Sequence, residues 1–467
     1  MARATGVDVL RFKSKEHMGI YKAYDIRGIY PTEMHEETAE RVGHALAGYL
    51  RTKTIVVGRD ARESSPSMSR ALIKGIADAG TNVVDIGQCT TPMIYFAVGT
   101  GKYGGGAMVT ASHNPPKYTG IKLCREEAIP LSEVAGIKDI ERAVLAMTET
   151  PRASVDRGFT TQSDVFEGYT KHVRSFLTVP PRKMKIVVDT ANGMVGKFFD
   201  RVFGAWPLEI IPLYFQPDGR FPNHEPNPLK DENIRDLVAK VRETKADFGA
   251  AFDGDGDRCM FVDEKGDRIA SDFITAMVAR RMLAKEKGAA IVYDLRSSWV
   301  VKEEVEAAGG RAIRDRVGHA FMKATMRKLN APFGGELSGH YYFRGHWFAD
   351  SGMIAFVHML NVLMGDSRPA SAHSAPLKRY FATGEINFHV EDKDGAIETI
   401  SKKFADGKQD RLDGITIEYG DWWCNVRKSN TEPVLRLNLE AKTAVKRDSA
   451  LKEIITIVGP PETDGGH

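Results

Sequence analysis

Two short stretches carry the residue types that phosphoryl transfer needs. Thr110-Ala111-Ser112-His113-Asn114-Pro115 sets a serine in a tight turn just past a Gly-rich apolar run, residues 104–109. Such a turn exposes a hydroxyl at the end of a strand, where its oxygen can meet a phosphoryl group. By itself the segment reads as an ordinary Asn-Pro turn, and Ser112 as a turn serine rather than a nucleophile. Asp253-Gly254-Asp255-Gly256-Asp257-Arg258 supplies the partner. Alternate side chains of an extended loop share a face, and the intervening glycines let the backbone bend around an ion. Hard carboxylate oxygens suit Mg²⁺ or Ca²⁺, and a cation so held would take an oxygen of a phosphate on Ser112. Three carboxylates at this spacing repel one another unless a positive charge lies between them. An EF-hand fits poorly: Glu264 falls at the twelfth position, but Arg258 stands where the loop needs glycine. An aspartyl-phosphate phosphatase would need a threonine after the second aspartate, which is lacking. His113 is adjacent to the serine, and neighbours rarely face each other as a Ser-His triad requires, so it reads as a donor or a turn residue.

Other residues gain meaning beside these two loops. Tyr24 and Arg27 precede the glycine turn at Gly28, where Arg27 is either a surface ion pair or a phosphate-facing cation. Lys122, ten residues past Ser112, is either a solvated lysine or an acid–base group with a lowered pKa. Glu336, Ser338 and His340 lie in Gly-Glu-Leu-Ser-Gly-His, and a carboxylate there can accept two bonds from neighbouring sugar hydroxyls. Arg427, Ser429, Asn430 and Thr431 gather a guanidinium, two hydroxyls and an amide within five residues, a donor set for a phosphate or for a capped hairpin turn. Gly318-His319 is a weak signal alone.

The elements that must position these loops repeat three times. Ile55–Asp60, Ile186–Asp189 and Ile291–Asp294 are apolar, β-branched runs ending in polar turns. Each is followed by a helix-compatible stretch and a second apolar run, at Asn82–Ile86, Leu208–Leu213 and Arg311–Ile313. A third run then leads into a polar loop: Gly105–Val109 into the serine turn, Phe248–Phe252 into the aspartates, Phe333 into the Glu336 loop. Strands alternating with helices predict α/β units with largely parallel sheets, whose ligands bind beyond the strands' carboxyl ends. From about residue 376 the texture changes. Asn387–Val390 and Ile415–Tyr419 alternate as half-exposed strands, Trp422–Val426 and Val434–Leu439 also read as strands, and Thr443–Val458 reads as a closing helix. The predicted boundaries are 1–158, 159–262, 263–376 and 377–467: three related α/β domains with mixed, largely parallel sheets, then a C-terminal α+β domain.

Composition narrows the partners. A net charge of +3 without a dense Lys/Arg block argues against nucleic-acid and membrane surfaces and for a small anionic substrate bound by local charge. Four scattered cysteines without CxxC pairing argue against zinc and a disulfide framework and fit a reducing compartment. Met1–His17 lacks the apolar core of a signal peptide, and no run approaches the ~18 apolar residues of a membrane span. A cytoplasmic monomer or weak homodimer is the expectation.

Taken together, the motifs resemble the α-D-phosphohexomutase superfamily, most closely its phosphomannomutase/phosphoglucomutase branch, from Tyr24 to Pro433 and in the family's order. The resemblance implies four domains arranged around a central cleft. It implies that Ser112 is carried as phosphoserine, with Asp253, Asp255, Asp257 and a phosphate oxygen on Ser112 holding Mg²⁺. Tyr24, Arg27, Lys122, Arg258, Arg296, Gly318, His319 and His340 would line the site. Glu336 and Ser338 match the sugar loop, and Arg427, Ser429, Asn430 and Thr431 the distal phosphate loop. The implied reaction passes a phosphoryl group between Ser112 and a hexose monophosphate through a hexose 1,6-bisphosphate, with Arg27, Lys122 and His340 as acid–base candidates. Leu337 replaces the branch's usual methionine, an apolar exchange, and Thr119-Gly120 replaces Asn-Gly. The Glu336/Ser338 pair suits glucose and mannose alike; phosphoglucosamine mutase and a non-catalytic phosphosugar-binding protein are the alternatives.

Overall fold

The computed structural model describes residues 19–429 and 434–462. Met1–His17, Asn430 and Thr431 lie outside the described residues. The chain divides into two compact units, one reaching Arg268 and including His340–Ser367, the other made of Ile269–Gly339 and the chain from Arg368.

The first unit contains two α/β domains built on one plan. In the first domain Thr54–Arg59 pairs in parallel with Asn82–Gln88 on one side and Gly105–Val109 on the other. Tyr118–Arg125 then returns antiparallel to Gly105–Val109 and pairs with Ile26–Ile29. The second domain repeats this with Met184–Asp189 between Leu208–Leu213 and Phe248–Phe252, and Cys259–Asp263 returning antiparallel. Gly105–Val109 and Phe248–Phe252 are buried along their whole length, as strands covered on both faces must be. Ile55, Val57, Ala107, Val109, Ile121 and Leu123 meet Val42, Leu46, Leu72 and Ile76 from two covering helices. Each of the Ile, Val and Leu side chains among them contributes ~1.5–3 kcal/mol when fully buried.

The segment His340–Ser367 locks onto the second domain. Its helix Gly352–Met364 is buried at every residue and apolar but for His358 and Asn361, the signature of a core helix. Ser351 caps it by accepting from Ile354 N, at 3.3 Å. Phe356 sits among Phe199, Phe203, Phe248 and Phe252, with ring centroids 5.0–6.2 Å apart.

In the second unit Ala290–Asp294 pairs in parallel with Arg311–Asp315 and Phe333–Gly335, the third occurrence of the plan. The C-terminal sheet is wholly antiparallel, in the order Phe381–Phe388, Leu435–Ala441, Trp422–Lys428, Ile415–Glu418, Lys408–Asp410. The helices Lys393–Lys403 and Ala444–Val458 cover it through Ile397, Ile400, Ile454 and Val458. One strand differs from the sequence expectation. The strand read at Asn387–Val390 runs from Phe381 to Phe388, so His389 and Val390 lie past its end. A register break between Ala382 and Glu385 disrupts the two-residue period there and hides the strand's start.

Candidate active site

The serine loop and the aspartate loop follow equivalent strands of the two domains in the first unit, and they meet. Ser112 Oγ donates to Asp253 Oδ2 at 2.8 Å. Ser112 is 1% exposed and has φ of +49°, a left-handed conformation that a non-glycine residue adopts only when its surroundings hold it there. Gly254 is required by the approach of the two loops: a Cβ there would stand 2.6 Å from the Ser112 carbonyl oxygen.

Asp253, Asp255 and Asp257 are buried, with one carboxylate oxygen of each within 4.8 Å of the others. Asp253 Oδ1 turns back on its own loop and accepts from Gly256 N at 3.0 Å and Arg258 N at 3.2 Å. Lys122 Nζ donates to Asp255 Oδ2 at 2.7 Å and Asp257 Oδ2 at 2.5 Å, reaching them because Tyr118–Arg125 pairs with the strand that leads into the serine loop. Thr91, which opens the helix Thr91–Gly101, donates its hydroxyl to Asp255 Oδ2 at 2.6 Å and its N–H to Asp255 O at 2.9 Å. Arg258 Nε donates to His340 Nε2 at 3.1 Å, and His340 Nε2 lies 3.4 Å from Asp257 Oδ1. Arg27 donates to Asn114 Oδ1 in the serine loop and pairs with Asp25. Tyr24, half-buried, precedes the strand Ile26–Ile29.

The charges are strongly coupled. Burial and the carboxylates of Asp257 and Asp255 push Asp253 well above the usual carboxylate range. Burial would raise Asp257 too, but Lys122, His340 and Arg258 hold it well below. Burial, reinforced by Arg258, Arg27 and Lys122, keeps the His113 imidazole neutral, and its Nδ1 is 3.4 Å from Ser112 Oγ. Burial alone would lower Lys122, the direction expected beside a metal, but with no cation among them Asp255, Asp257 and Asp253 outweigh burial and raise it.

The residues present fit a divalent cation. Among the described residues, buried Asp255 Oδ1 has no hydrogen-bond partner and Asp257 Oδ1 has none closer than His340, at 3.4 Å, an arrangement that costs free energy unless a cation takes these oxygens. Thr91 was missed by the sequence reading; its only signal is Thr90-Thr91-Pro92, a helix start like many others.

The second unit gathers the remaining candidates into two groups that share Arg296. Glu336, 2% exposed, accepts from Gly318 N at 3.0 Å and from Ser338 Oγ at 3.3 Å. Leu337 N donates to Asp294 Oδ2 at 2.8 Å, and the same carboxylate receives Arg296. His319, half-buried, opens the helix that follows Gly318. Arg296, Arg427 and Arg436 converge on Glu385, at 3.3, 2.6 and 3.1 Å. Burial would raise Glu385, yet the three guanidinium groups bring its pKa down to about 2. Arg427 is 1% exposed, and burial together with its two cationic neighbours lowers its own pKa. Ser429 N closes the strand end on Val434 O at 3.0 Å. Glu385 and Asp294 escaped the sequence reading because a lone acidic residue on a strand carries no spacing signal.

All four domains of the phosphoglucomutase/phosphomannomutase family match in order: the α/β/α domains I, II and III at residues 18–150, 167–266 and 270–380, and the C-terminal domain at 385–456. The chain is 41% identical over 443 residues to the phosphohexose mutases of Xanthomonas campestris pv. campestris (strain B100), covering 93% of this chain and 97% of that one. It is 40% identical over 432 residues to a phosphomannomutase of Escherichia coli K12, covering 90% and 94%. The crystal structure of a phosphoglucomutase/phosphomannomutase family protein from Burkholderia thailandensis superposes with a TM-score of 0.87 at 31% identity, covering 95% of this chain and 98% of that one. The chain therefore belongs to the phosphoglucomutase/phosphomannomutase family. It is a phosphohexomutase, an enzyme that moves a phosphoryl group between positions of a hexose phosphate.

Proposed function

We propose that this phosphohexomutase interconverts the 6- and 1-phosphates of mannose, glucose or both, with Ser112 carried as phosphoserine and a hexose 1,6-bisphosphate as intermediate. The observation that carries the reading is the 2.8 Å contact of Ser112 Oγ with Asp253, within a cluster of three buried carboxylates. Asp253, Asp255 and Asp257, with a phosphate oxygen on Ser112, would hold Mg²⁺. When bound, the ion neutralises charge on the transferring phosphoryl group.

This chain's own residues supply the rest of the reaction. Phosphoserine 112 gives its phosphoryl group to the free hydroxyl of a hexose monophosphate, whose proton must leave. The bisphosphate turns end for end, and its other phosphate returns to Ser112 Oγ. Lys122, Arg27 and His340 are the acid–base candidates. A neutral His340 imidazole would take the hydroxyl proton, while the Lys122 ammonium and the Arg27 guanidinium would donate to the oxygen that loses the phosphoryl group. Lys122 is held charged beside Asp255 and Asp257, the form that would give a proton to Ser112 Oγ as the phosphoryl group leaves it. Arg258 keeps His340 oriented. Glu336 and Ser338, braced by Gly318 N, suit two neighbouring sugar hydroxyls, with His319 beside them. Arg296, Arg427, Ser429, Asn430 and Thr431 suit the phosphate that is not reacting, because the arginines sharing Glu385 leave an excess of positive charge.

A cytoplasmic monomer or weak homodimer belongs to this reading. All four cysteines are free and buried. No helix among the described residues is long and apolar enough to cross a membrane. Mannose 1-phosphate, glucose 1-phosphate and glucosamine 1-phosphate, supplied in parallel with Mg²⁺ and a trace of glucose 1,6-bisphosphate, test the substrate. Turnover of the first two to their 6-phosphates is expected. Preference for glucosamine 1-phosphate would replace the assignment, and inorganic phosphate as the main product would mark a phosphatase.

A further inference from the structure

Arg62 lies outside every group assigned above, yet it is one of the largest fully buried side chains, 1% exposed. A guanidinium has five N–H donors, and each finds an acceptor here. Nε donates to Asp60 Oδ2 at 3.2 Å. Nη1 donates to Pro115 O at 2.8 Å and Tyr118 O at 3.1 Å. Nη2 donates to Ser112 O at 2.9 Å and Asn114 O at 2.6 Å. Four of the five acceptors are backbone carbonyls of the serine loop. On its other side Arg62 packs under the Phe221 ring, 5.0 Å from its centroid, and a Cβ on Gly219 would stand 2.3 Å from Arg62 Cα. It therefore ties the serine loop to a loop of the second domain.

Asp60 completes the clamp. It accepts from Arg62 N, from Ser65 Oγ and from Thr110 Oγ1, the last at 2.7 Å. Thr110 Oγ1 in turn accepts from Ser112 N at 2.9 Å. Both peptide groups flanking the Ser112 Cα are thus fixed, N–H by Thr110 and C=O by Arg62, which is what holds its left-handed φ.

The consequence follows from phosphorylation itself. The bond from Ser112 Oγ to Asp253 needs the hydroxyl proton, and a phosphate ester has none. When Ser112 carries phosphate that bond is gone, and what still ties the loop to the protein around it is its backbone, through Arg62 and Thr110, and the Arg27 bond to Asn114 Oδ1.

We propose that Arg62 is a positioning residue, holding the Ser112–Tyr118 loop by its carbonyls so that Ser112 Oγ keeps its place against the aspartate loop whether or not it is phosphorylated. This rests on the reading of Ser112 as the phosphate carrier. Lysine cannot substitute, having three donors and no planar fork.

The test starts from dephosphorylated protein with Mg²⁺ and follows transfer from glucose 1,6-bisphosphate to Ser112 by rapid quench and phosphopeptide mass spectrometry, alongside steady-state kcat and KM for mannose 1-phosphate. Arg62→Lys is expected to slow labelling and kcat by about 10²-fold, the scale of a ~1 Å misplacement, with KM within about threefold. Methylguanidine added to Arg62→Ala is expected to recover at least about a tenth of the lost rate, because the guanidinium fork itself does the holding. Thr110→Val, which keeps the packing and removes the acceptor of Ser112 N–H, is expected to lower kcat with KM unchanged and serves where Arg62 variants do not fold. Wild-type labelling rates in Arg62→Lys or in Thr110→Val, or a loss confined to KM, overturn the proposal. Failure of the wild-type protein to label at Ser112 overturns the phosphoserine reading instead, and this inference with it.

Discussion

Gly254→Ala isolates the contact on which the proposed chemistry depends. The added methyl carbon would stand 2.6 Å from Ser112 O, where ordinary contact begins at 3.4 Å, a deficit of 0.8 Å (3.4 − 2.6). The methyl has no room to retreat, because Pro226 Cβ and Cγ stand at 3.3 and 3.5 Å. Nor can the carbonyl swing aside cheaply, since Arg62 Nη2 holds it at 2.9 Å. The strain must therefore separate the serine loop from the aspartate loop by several tenths of an ångström. Overpacking of this kind costs ~1–3 kcal/mol of stability, and misplacing reacting groups by up to ~1 Å costs as much as ~10²-fold in rate. With mannose 1-phosphate, saturating Mg²⁺ and bisphosphate, kcat is expected to fall about 10- to 100-fold and KM to stay within about threefold. Gly420→Ala is the control, with nothing within 4 Å of the added carbon, and is expected to keep full activity. A Gly254→Ala enzyme with kcat within twofold of wild type would refute the claim that this approach sets the geometry of Ser112.

Four further outcomes follow. Lys122→Met should lower kcat by about 10²- to 10⁴-fold, the range of a lost acid–base group, and undiminished kcat would remove Lys122 from that role. Chelation with EDTA should abolish turnover and Mg²⁺ restore it; full activity in chelator would contradict the metal assignment. Glu385, brought from 4.5 to about 2, contributes stability that is fully present above pH 4.5 and lost as pH falls through about 2. At ~1.4 kcal/mol per unit this is about 3 kcal/mol, so Glu385→Gln should flatten the stability–pH curve measured by urea unfolding between pH 4.5 and 2, and an unchanged curve would contradict it. Gly48→Ala, exposed in the helix Glu36–Leu50 with nothing within 4 Å, should raise stability by ~0.5–1 kcal/mol without touching activity, as thermal unfolding would show.

The strands that carry the loops were legible because both their faces are buried. Gly105–Val109 and Phe248–Phe252 occupy the residues that their apolar runs mark, as does the partly exposed edge strand Leu208–Leu213, and the central pairing with two parallel neighbours recurs three times. Phe381–Phe388 was only partly legible, because its exposed first half and register break leave no period to read. In the candidate site, Ser112 and the three aspartates declared themselves by residue type at close spacing. Residues that act through one long-range bond did not: Thr91 lies 164 residues from Asp255, and Arg62 50 residues from Ser112. Nor does sequence give the sign of a charge effect, as Lys122 shows. Burial and three carboxylates oppose one another there, and only their geometry decides which prevails.

The central claim is that Ser112 carries the phosphate. Dephosphorylated protein incubated with Mg²⁺ and glucose 1,6-bisphosphate labelled at both phosphates should gain label on the Ser112 peptide, then surrender it to unlabelled mannose 1-phosphate as labelled bisphosphate at a rate no slower than kcat. Label on another residue, or turnover at the wild-type rate in Ser112→Ala, would contradict the account.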